Sequence, residues 1–191
     1  MKELAEQASG TALVLVDLQN SFLHERGQNY YPESTDVLPA INEMLNVARR
    51  TGTPVIFVAE RHRPGVDDFE GAKLPAHCID GDFDSLLYSE LGPVGESEFL
   101  LAKRRMSAFQ GTDLDLLLRE MNVRSLVIGG VKTNVCVRAT VQDGFALGYR
   151  CHVVREAVNS NRKHLSDASL EDIDRYMGWV VKLDEAVGLL A

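Results

Sequence analysis

Three residues with reactive side chains follow apolar, β-rich segments of this 191-residue sequence. Asp17 follows the run TALVLV, Lys103 follows EFLLA, and Cys136 comes shortly after LVIGG. A carboxylate can accept a proton, an ammonium group can favour a nearby anion, and a thiol that has lost its proton is a strong nucleophile. Together the three types could carry out a nucleophilic attack through sulfur, provided that the fold brings them to one place.

The stretch from 126 to 149 gives the cysteine a defined local setting. It reads LVIGGVKTNVCVRATVQDGFALGY, which predicts a buried strand, a tight turn at the glycine pair and a helix closed by Gly148. Thr133 is the predicted N-cap of that helix. Its predicted apolar face consists of Val137, Val141, Phe145 and Ala146. Cys136 would then lie in the first turn, where the helix dipole favours a thiolate and free N–H groups could hold an oxyanion.

Strands and helices alternate along the chain that must position these residues. The predicted strands cover residues 11–16, 55–59, 98–102, 126–128, 151–154 and 179–181. Further helices are predicted after caps at Thr35 or Asp36 and at Thr112, and over 166–177 and 184–190. This alternation predicts an α/β fold, a three-layer α/β/α sandwich with a mostly parallel, Rossmann-like central sheet of five or six strands. Because ligands bind beyond the carboxyl ends of such strands, Asp17, Lys103 and Cys136 would share one edge.

A long polar stretch from 65 to 95 connects the second and third predicted strands, with one short helix expected near 85–90. A connection of this length in a compact domain usually covers a functional site. We expect this stretch, together with Tyr30 and Tyr31, to set the specificity of the pocket. Four arginines nearby could bind an anionic group of the substrate or lie on the surface: Arg61, Arg63, Arg104 and Arg105.

Composition and charge exclude several classes of protein. The net charge of −8 argues against nucleic acid or an anionic membrane surface as a partner. The longest apolar runs are too short to span a bilayer, and the N-terminal segment MKELAEQASG lacks the apolar core of a secretion signal. Three widely spaced cysteines do not form a disulfide framework, which favours a cytoplasmic protein. The length predicts one domain over 1–191.

Three motifs carry a resemblance to a known family. They are VDLQNSF at Val16–Phe22, KRRMSAFQGTDLD at Lys103–Asp115 and GGVKTNVCVRAT at Gly129–Thr140. In their order and spacing the sequence resembles the isochorismatase-like cysteine hydrolases, the superfamily that includes nicotinamidase, N-carbamoylsarcosine amidase, biuret hydrolase and ureidoacrylate amidohydrolase. The motifs together run through most of the predicted domain.

The resemblance implies a set of site residues. Asp17, Lys103 and Cys136 would form a catalytic triad. A non-proline cis peptide bond would join Val131 to Lys132, and the N–H groups of Lys132 and Cys136 would form the oxyanion hole. The expected substrate-binding residues are Phe22, His62, Val131 and Asn159. Asn159 is included because it follows the fifth predicted strand on the same edge of the sheet.

The resemblance also implies a reaction. A cysteine at this position indicates cleavage of a C–N bond in a small amide or ureido substrate through a thioester, because true isochorismatases cleave a vinyl ether and lack that cysteine. Asp17 would accept the thiol proton and return it to the leaving nitrogen. No cofactor is expected, and superfamily members often assemble, so a homodimer or homotetramer is predicted.

Two alternatives remain open at this point. Nicotinamidases hold a metal with one acid and several histidines, and Glu60, His62 and His77 occur at matching positions. Glutamate replaces the usual aspartate, and no histidine occurs from 63 to 76, so no metal is predicted. A non-catalytic binding protein of the same fold is the second alternative, because a fold does not by itself imply activity. A flavodoxin-like nucleotide domain is disfavoured, since DLQNSF contains no glycine for a phosphate loop.

Overall fold

A computed structural model describes residues 10–92, 94–95 and 98–191 of the chain. Within these residues lie the β-strands β1 (Thr11–Val16), β2 (Val55–Glu60), β3 (Glu98–Lys103), β4 (Ser125–Val131), β5 (Arg150–Asn159) and β6 (Trp179–Val181). The α-helices there are α1 (Asn20–Leu23), α2 (Leu38–Thr51), α3 (Leu114–Glu120), α4 (Arg138–Ala146), α5 (Lys163–Tyr176) and α6 (Leu183–Leu190). The segment considered for a secretion signal lies outside the described residues except for Gly10.

The strands form one six-stranded sheet in the order β3-β2-β1-β4-β5-β6, and every neighbouring pair is parallel. β1 lies near the centre and all six of its residues are buried. Alternate residues of β1 lie in two separate apolar cores. Leu13 and Leu15 pack on one side of the sheet with α2 and α6. Val14 and Val16 pack on the other side with α3, α4 and α5. This arrangement confirms the predicted three-layer α/β/α sandwich. None of the described helices is long and apolar enough to cross a membrane.

The glycine pair after LVI does not end β4, as the sequence predicted, but lies inside it. Gly130 adopts a φ of +128°, and a Cβ built on it would lie 2.0 Å from the carbonyl oxygen of Val16. A Cβ on Gly129 would lie 2.6 Å from the Cδ1 atom of Ile41 in α2. The glycines therefore allow β4 to lie close to β1 and to α2 and to continue to Val131.

Several predicted helix boundaries and faces are wrong. The N-cap of the turn after β4 is Lys132, and the Thr133 hydroxyl instead accepts a hydrogen bond from Ser166 (2.9 Å). Val37, not Thr35 or Asp36, precedes α2 because a 3-10 helix occupies Pro32–Val37. Asp113 directly precedes α3, but the hydroxyl of Thr112 accepts a hydrogen bond from the Leu114 N–H (3.3 Å), as predicted for a capping residue. In place of a helix near 85–90 there are 3-10 turns at Phe83–Ser85 and Ser89–Leu91.

The buried face of α4 differs from the predicted one in its second half. Val137 and Val141 are buried as predicted, but Phe145 is 49% exposed and Ala146 is also exposed. Thr140 and Gly144 take their place on the buried side. A Cβ on Gly144 would lie 2.9 Å from the sulfur of Cys151, so a small residue is needed for this helix to approach the sheet. The prediction assigned the large apolar residue Phe145 to the buried face, whereas close packing against the sheet requires the small Gly144 there.

Candidate active site

The acid, lysine and thiol predicted to share one edge of the sheet meet there. Asp17 directly follows β1, Lys103 is the last residue of β3, and Cys136 lies in a π-helical turn, Thr133–Val137, after β4. The Lys103 Nζ atom lies 2.9 Å from Asp17 Oδ2 and 3.5 Å from Cys136 Sγ. All three side chains are buried. We call these three residues the triad cluster.

The backbone around Asp17 is fixed by the strand beside it. Its N–H donates to the carbonyl of Val58 in β2 (2.8 Å), and its own carbonyl accepts from the Gln19 N–H (2.9 Å). Its φ is +54°, a left-handed conformation that aspartate adopts more readily than most residues. The carboxylate therefore projects from a backbone that has little freedom to move.

Burial dominates the electrostatics of the triad cluster. It raises the pKa of Asp17 to about 6, although the Lys103 ammonium opposes the shift. Burial, and next the negative charge of Asp17, raise the pKa of the Cys136 thiol well above its usual value. The helix dipole alone predicts a thiolate, whereas burial and the charge of Asp17 favour the protonated thiol. The prediction considered the dipole and neglected desolvation.

The turn that carries Cys136 also presents backbone donors. The peptide bond between Val131 and Lys132 is cis. The Lys132 carbonyl accepts hydrogen bonds from the N–H groups of Val135 (3.1 Å) and Val137 (3.3 Å), the residues on either side of Cys136. The hydroxyl of Thr133 is bonded to Ser166 and does not cap this turn. The oxyanion hole implied for the N–H groups of Lys132 and Cys136 stays a prediction.

The four predicted substrate-binding residues all lie beyond or at the carboxyl ends of strands. Phe22 in α1, His62 after β2 and Val131 at the end of β4 are buried. Asn159 ends β5, and its Oδ1 atom accepts a hydrogen bond from the Tyr31 hydroxyl (2.6 Å). Its amide group also donates to the Glu33 carbonyl, so both ends of this side chain are engaged. Contact of these residues with a substrate stays a prediction.

A second buried cluster adjoins the triad cluster. Its members are Glu60, His62 and His77, which we call the histidine cluster. The Glu60 carboxylate lies 3.7 Å from Lys103 Nζ, 3.2 Å from His77 Nε2 and 3.5 Å from His62 Nε2. Contact with Glu60 raises the pKa of both histidines. Burial alone would raise the pKa of Glu60, but Lys103 and the two histidines hold it well below its usual range.

The donor set of the histidine cluster fits a divalent metal ion. One carboxylate oxygen and two imidazole nitrogens lie within 4.8 Å of one another. The outer nitrogens are already held, since His62 Nδ1 is 3.1 Å from Asp68 Oδ2 and His77 Nδ1 is 2.8 Å from the Pro75 carbonyl. His62 Nε2 is buried without a hydrogen-bond partner. Imidazoles oriented from behind in this way are common zinc ligands.

Sequence reasoning missed three residues that organise this edge. The Gln19 side chain donates to the carbonyls of Glu60 and Ser85 (both 2.9 Å) and accepts from the Glu60 N–H (2.7 Å). Its only sequence signal was its place within VDLQNSF. Asp68 and Glu70 approach His62 from the segment 63–76, in which no histidine occurs. Acidic residues in a loop give no such signal on their own.

Several cavities open near these clusters, and two of them are lined by Glu70. One of about 560 Å³ lies beside the helix that follows Cys136, and its lining includes Glu70, Arg105 and Asn134. The other, of about 280 Å³, is lined by His62 and His77 and also by Glu70. Of the four arginines near the site, Arg105 pairs with Asp68 (2.7 Å) and Arg61 with Asp80 (3.5 Å).

The other two cysteines differ from Cys136 in their surroundings. Cys78 and Cys151 are both fully buried, and burial raises the pKa of each thiol. The sulfur of Cys151 faces the carbonyls of Val141 and Tyr149, at 3.8 Å from each. Cys151 is thus a core residue.

Comparison of the sequence with known proteins identifies the family of the chain. A family model described as the isochorismatase domain matches residues 11–185. Ureidoacrylate amidohydrolase RutB from Stutzerimonas stutzeri (strain A1501) is 32% identical over 206 residues, which cover 95% of this chain and 83% of that protein.

Solved structures agree with the sequence comparison. The crystal structure of N-carbamoylsarcosine amidase from Thermoplasma acidophilum is 31% identical with a TM-score of 0.82, covering 92% of this chain and 97% of that one. The pyrazinamidase/nicotinamidase of Streptococcus mutans UA159 is 30% identical with a TM-score of 0.82, covering 90% and 100%. These matches confirm the resemblance that the three motifs carried. The chain belongs to the isochorismatase family.

Proposed function

We propose that the protein is a cysteine-dependent amidohydrolase that cleaves a C–N bond of a small amide or ureido substrate. The observation that carries the proposal is the position of Lys103 Nζ, within 3.5 Å of both the Asp17 carboxylate and the Cys136 sulfur. The names of the relatives, an amidohydrolase, an amidase and a nicotinamidase, support hydrolysis of non-peptide C–N bonds.

The reaction begins with proton transfer from sulfur. With a pKa of about 6, Asp17 is ionised at neutral pH and accepts the Cys136 proton, while the Lys103 ammonium stabilises the thiolate as it forms. The thiolate attacks the carbonyl carbon of the substrate. Negative charge then develops on the carbonyl oxygen, where the N–H groups of Lys132 and Cys136 would hold it.

The second half of the reaction restores the enzyme. Asp17 returns its proton to the leaving nitrogen, the C–N bond breaks, and the acyl group remains on Cys136 as a thioester. Asp17 then accepts a proton from a water molecule that attacks the thioester. Breaking the C–S bond releases the acid product, and the proton returns to the sulfur.

A metal-assisted, nicotinamidase-type amidase is the second candidate, and the histidine cluster favours it. Glu60, His62 and His77 would hold the ion. A divalent ion at this position would act as a Lewis acid that binds and polarises a substrate heteroatom. The steps assigned to Asp17, Lys103 and Cys136 are the same in both candidates.

The proposal includes four further expectations. They are the single domain over 1–191, the absence of a cofactor, the cytoplasmic location, and assembly as a homodimer or homotetramer. Small amides or ureides, rather than nucleic acid or membranes, remain the expected partners.

The first experiment measures ammonia release from nicotinamide, biuret, N-carbamoylsarcosine and a ureidoacrylate analogue. It compares the wild type with Cys136→Ala, with and without a chelator, and uses Cys151→Ala as a matched control that removes a buried thiol elsewhere. We expect activity that survives the chelator and Cys151→Ala but not Cys136→Ala. Loss of activity with the chelator would favour the metal-assisted candidate. Full activity in Cys136→Ala would overturn the assignment of the nucleophile.

A further inference from the structure

Lys132 places a second ammonium group near the nucleophile. The residue is half-buried and lies four positions before Cys136, on the cis-peptide segment. Its Nζ atom lies 5.9 Å from the centroid of the Phe22 ring and 5.7 Å from that of the Tyr31 ring. Both rings are buried. The ammonium is therefore held against two aromatic faces close to the triad cluster.

No carboxylate in the described part of the chain forms an ion pair with Lys132, whereas its cationic neighbours are paired. Lys103 contacts Asp17 and Glu60, and Arg105 contacts Asp68. Burial lowers the pKa of Lys132, while negative charge on Cys136 and Glu60 would raise it. The ammonium thus lies within electrostatic reach of the sulfur. Among the described residues, the rings of Phe22 and Tyr31 partly compensate for the hydration that it loses.

Taking the proposed hydrolysis as a basis, we propose that Lys132 binds a carboxylate of the substrate, so that the enzyme prefers anionic amides or ureides to neutral ones. A carboxylate supplies the charge and the hydrogen-bond acceptors that the ammonium lacks. The rings of Phe22 and Tyr31 contact the ammonium but carry no negative charge that would neutralise it. Lys132 is then a binding residue that determines specificity through its side chain.

The surroundings of Tyr31 support a fixed position for this ammonium. The Tyr31 hydroxyl donates to Asn159 at the end of β5, and Asn159 in turn donates to the Glu33 carbonyl. These bonds tie the ring of Tyr31 to the sheet edge. Asn159 therefore acts as a positioning residue for the aromatic wall beside Lys132.

The test uses two alkylating reagents of the same chemistry and different charge. Iodoacetate and iodoacetamide both lose iodide to a cysteine thiolate, and mass spectrometry locates the modified sulfur. Cys136→Ala shows which modification belongs to Cys136. The measured quantity is the ratio of the rate constants for Cys136, iodoacetate over iodoacetamide, in wild type, Lys132→Met and Lys163→Met. Lys163 lies in α5, is largely exposed and is paired with Asp167, so it controls for loss of one positive charge.

We expect Lys132→Met to lower the ratio about tenfold, as loss of one ammonium–carboxylate contact would, and Lys163→Met to leave it unchanged. An unchanged ratio in Lys132→Met overturns the proposal. Should that variant fold poorly, a protection experiment on the wild type tests the same point. Succinamate, which is anionic, should protect Cys136 from iodoacetamide at about a tenth of the concentration that neutral succinamide requires. Equal protection by the two compounds overturns the proposal. Neither measurement requires turnover, so failure of this proposal can be distinguished from failure of the proposed hydrolysis.

Discussion

The triad cluster and the histidine cluster are both buried, both charged and only 3.7 Å apart between Lys103 and Glu60. They differ in what holds them. Each member of the triad cluster ends a strand, directly follows one or lies in the turn after one, so the sheet fixes their distances. In the histidine cluster only Glu60 belongs to a strand, and His62 and His77 are held by an isolated bridge and by loop contacts.

This difference suits the two clusters to different roles, the triad cluster to the reaction and the histidine cluster to substrate choice. Proton transfer and nucleophilic attack require fixed distances, and regular sheet edges supply them. Loops can exchange side chains without disturbing the sheet, and they commonly carry specificity. We therefore expect changes in the triad cluster to abolish turnover, and changes in the histidine cluster to alter stability or substrate choice.

The largest effect should come from Lys103→Met. Without the ammonium, neither the Asp17 carboxylate nor the emerging thiolate is stabilised, so kcat/KM should fall about 10³-fold or more. Steady-state ammonia release on the best substrate measures the change. The same substitution in Cys136→Ala should have little further effect, since the residues act as a unit; a full additional 10³-fold loss would contradict the triad.

Gly130→Ala tests whether the sheet holds the triad cluster. A Cβ there would lie 2.0 Å from the Val16 carbonyl, and alanine is strained at a φ of +128°, so the free energy of unfolding should fall by about 3 kcal/mol or more. Urea denaturation followed by circular dichroism measures it. The control is Gly188→Ala in α6, where no atom lies within 4 Å of the added Cβ and helix propensity should raise stability. Equal behaviour of the two variants would refute the close β1–β4 contact.

Glu60→Gln tests the charge that links the two clusters. It leaves Lys103 and both histidines without their shared carboxylate, so stability at pH 7 should fall by about 3 kcal/mol. Because the folded pKa of Glu60 is depressed, its contribution is present above the usual carboxyl pKa of 4.5 and is lost as the pH falls below that value. Glu70→Gln is the matched control, since burial raises the pKa of that carboxyl and its charge contributes little. A Glu60→Gln protein as stable as wild type would show that the clusters are not coupled.

The pH profile of kcat/KM probes Asp17 directly. Only the ionised carboxylate can accept the thiol proton, so kcat/KM should decline as the pH falls through about 6, approaching tenfold per pH unit below it. The profile is measured with a neutral substrate, whose own charge does not change in this range. A rate that stays constant down to pH 4.5 would mean that Asp17 has an ordinary pKa or is not the base.

The smallest effect should come from Arg105→Gln. Arg105 is partly exposed and pairs with Asp68, which in turn holds His62. Solvent screening limits such a pair to about 1 kcal/mol or less of stability, and kcat/KM should change only a fewfold. Chemical denaturation and steady-state kinetics give both numbers. A loss as large as that in Lys103→Met would place the histidine cluster in the chemistry after all.

The sheet and the triad residues were predictable because local patterns fix them. β1 is buried on both faces, so its sequence is a continuous apolar run that ends where the polar Asp17 begins. Lys103 is the last residue of β3, and Cys136 lies in the turn that follows β4. The parallel alternation then places all three at one edge without knowledge of any long-range contact.

Long-range contacts decided what the sequence did not predict. The glycine pair resembles a turn, and only the approach of Val16 and Ile41 shows why it lies inside a strand. The raised pKa of the Cys136 thiol results from burial, which several helices and strands create together. Asp68 and Glu70 reach His62 through loop geometry that has no periodic sequence signal.

The pairing of β1 with β4 has a consequence for how the protein forms. Thr11 lies opposite Ser125, and Val16 opposite Gly130, so the central pair of the sheet joins the first described strand to one far along the chain. Closing such a long loop is entropically unfavourable and slow compared with forming helices. During synthesis on the ribosome, the triad cluster can form only after the segment that contains Cys136 has emerged. Recovered activity should therefore lag behind recovered helix content when the protein refolds from denaturant.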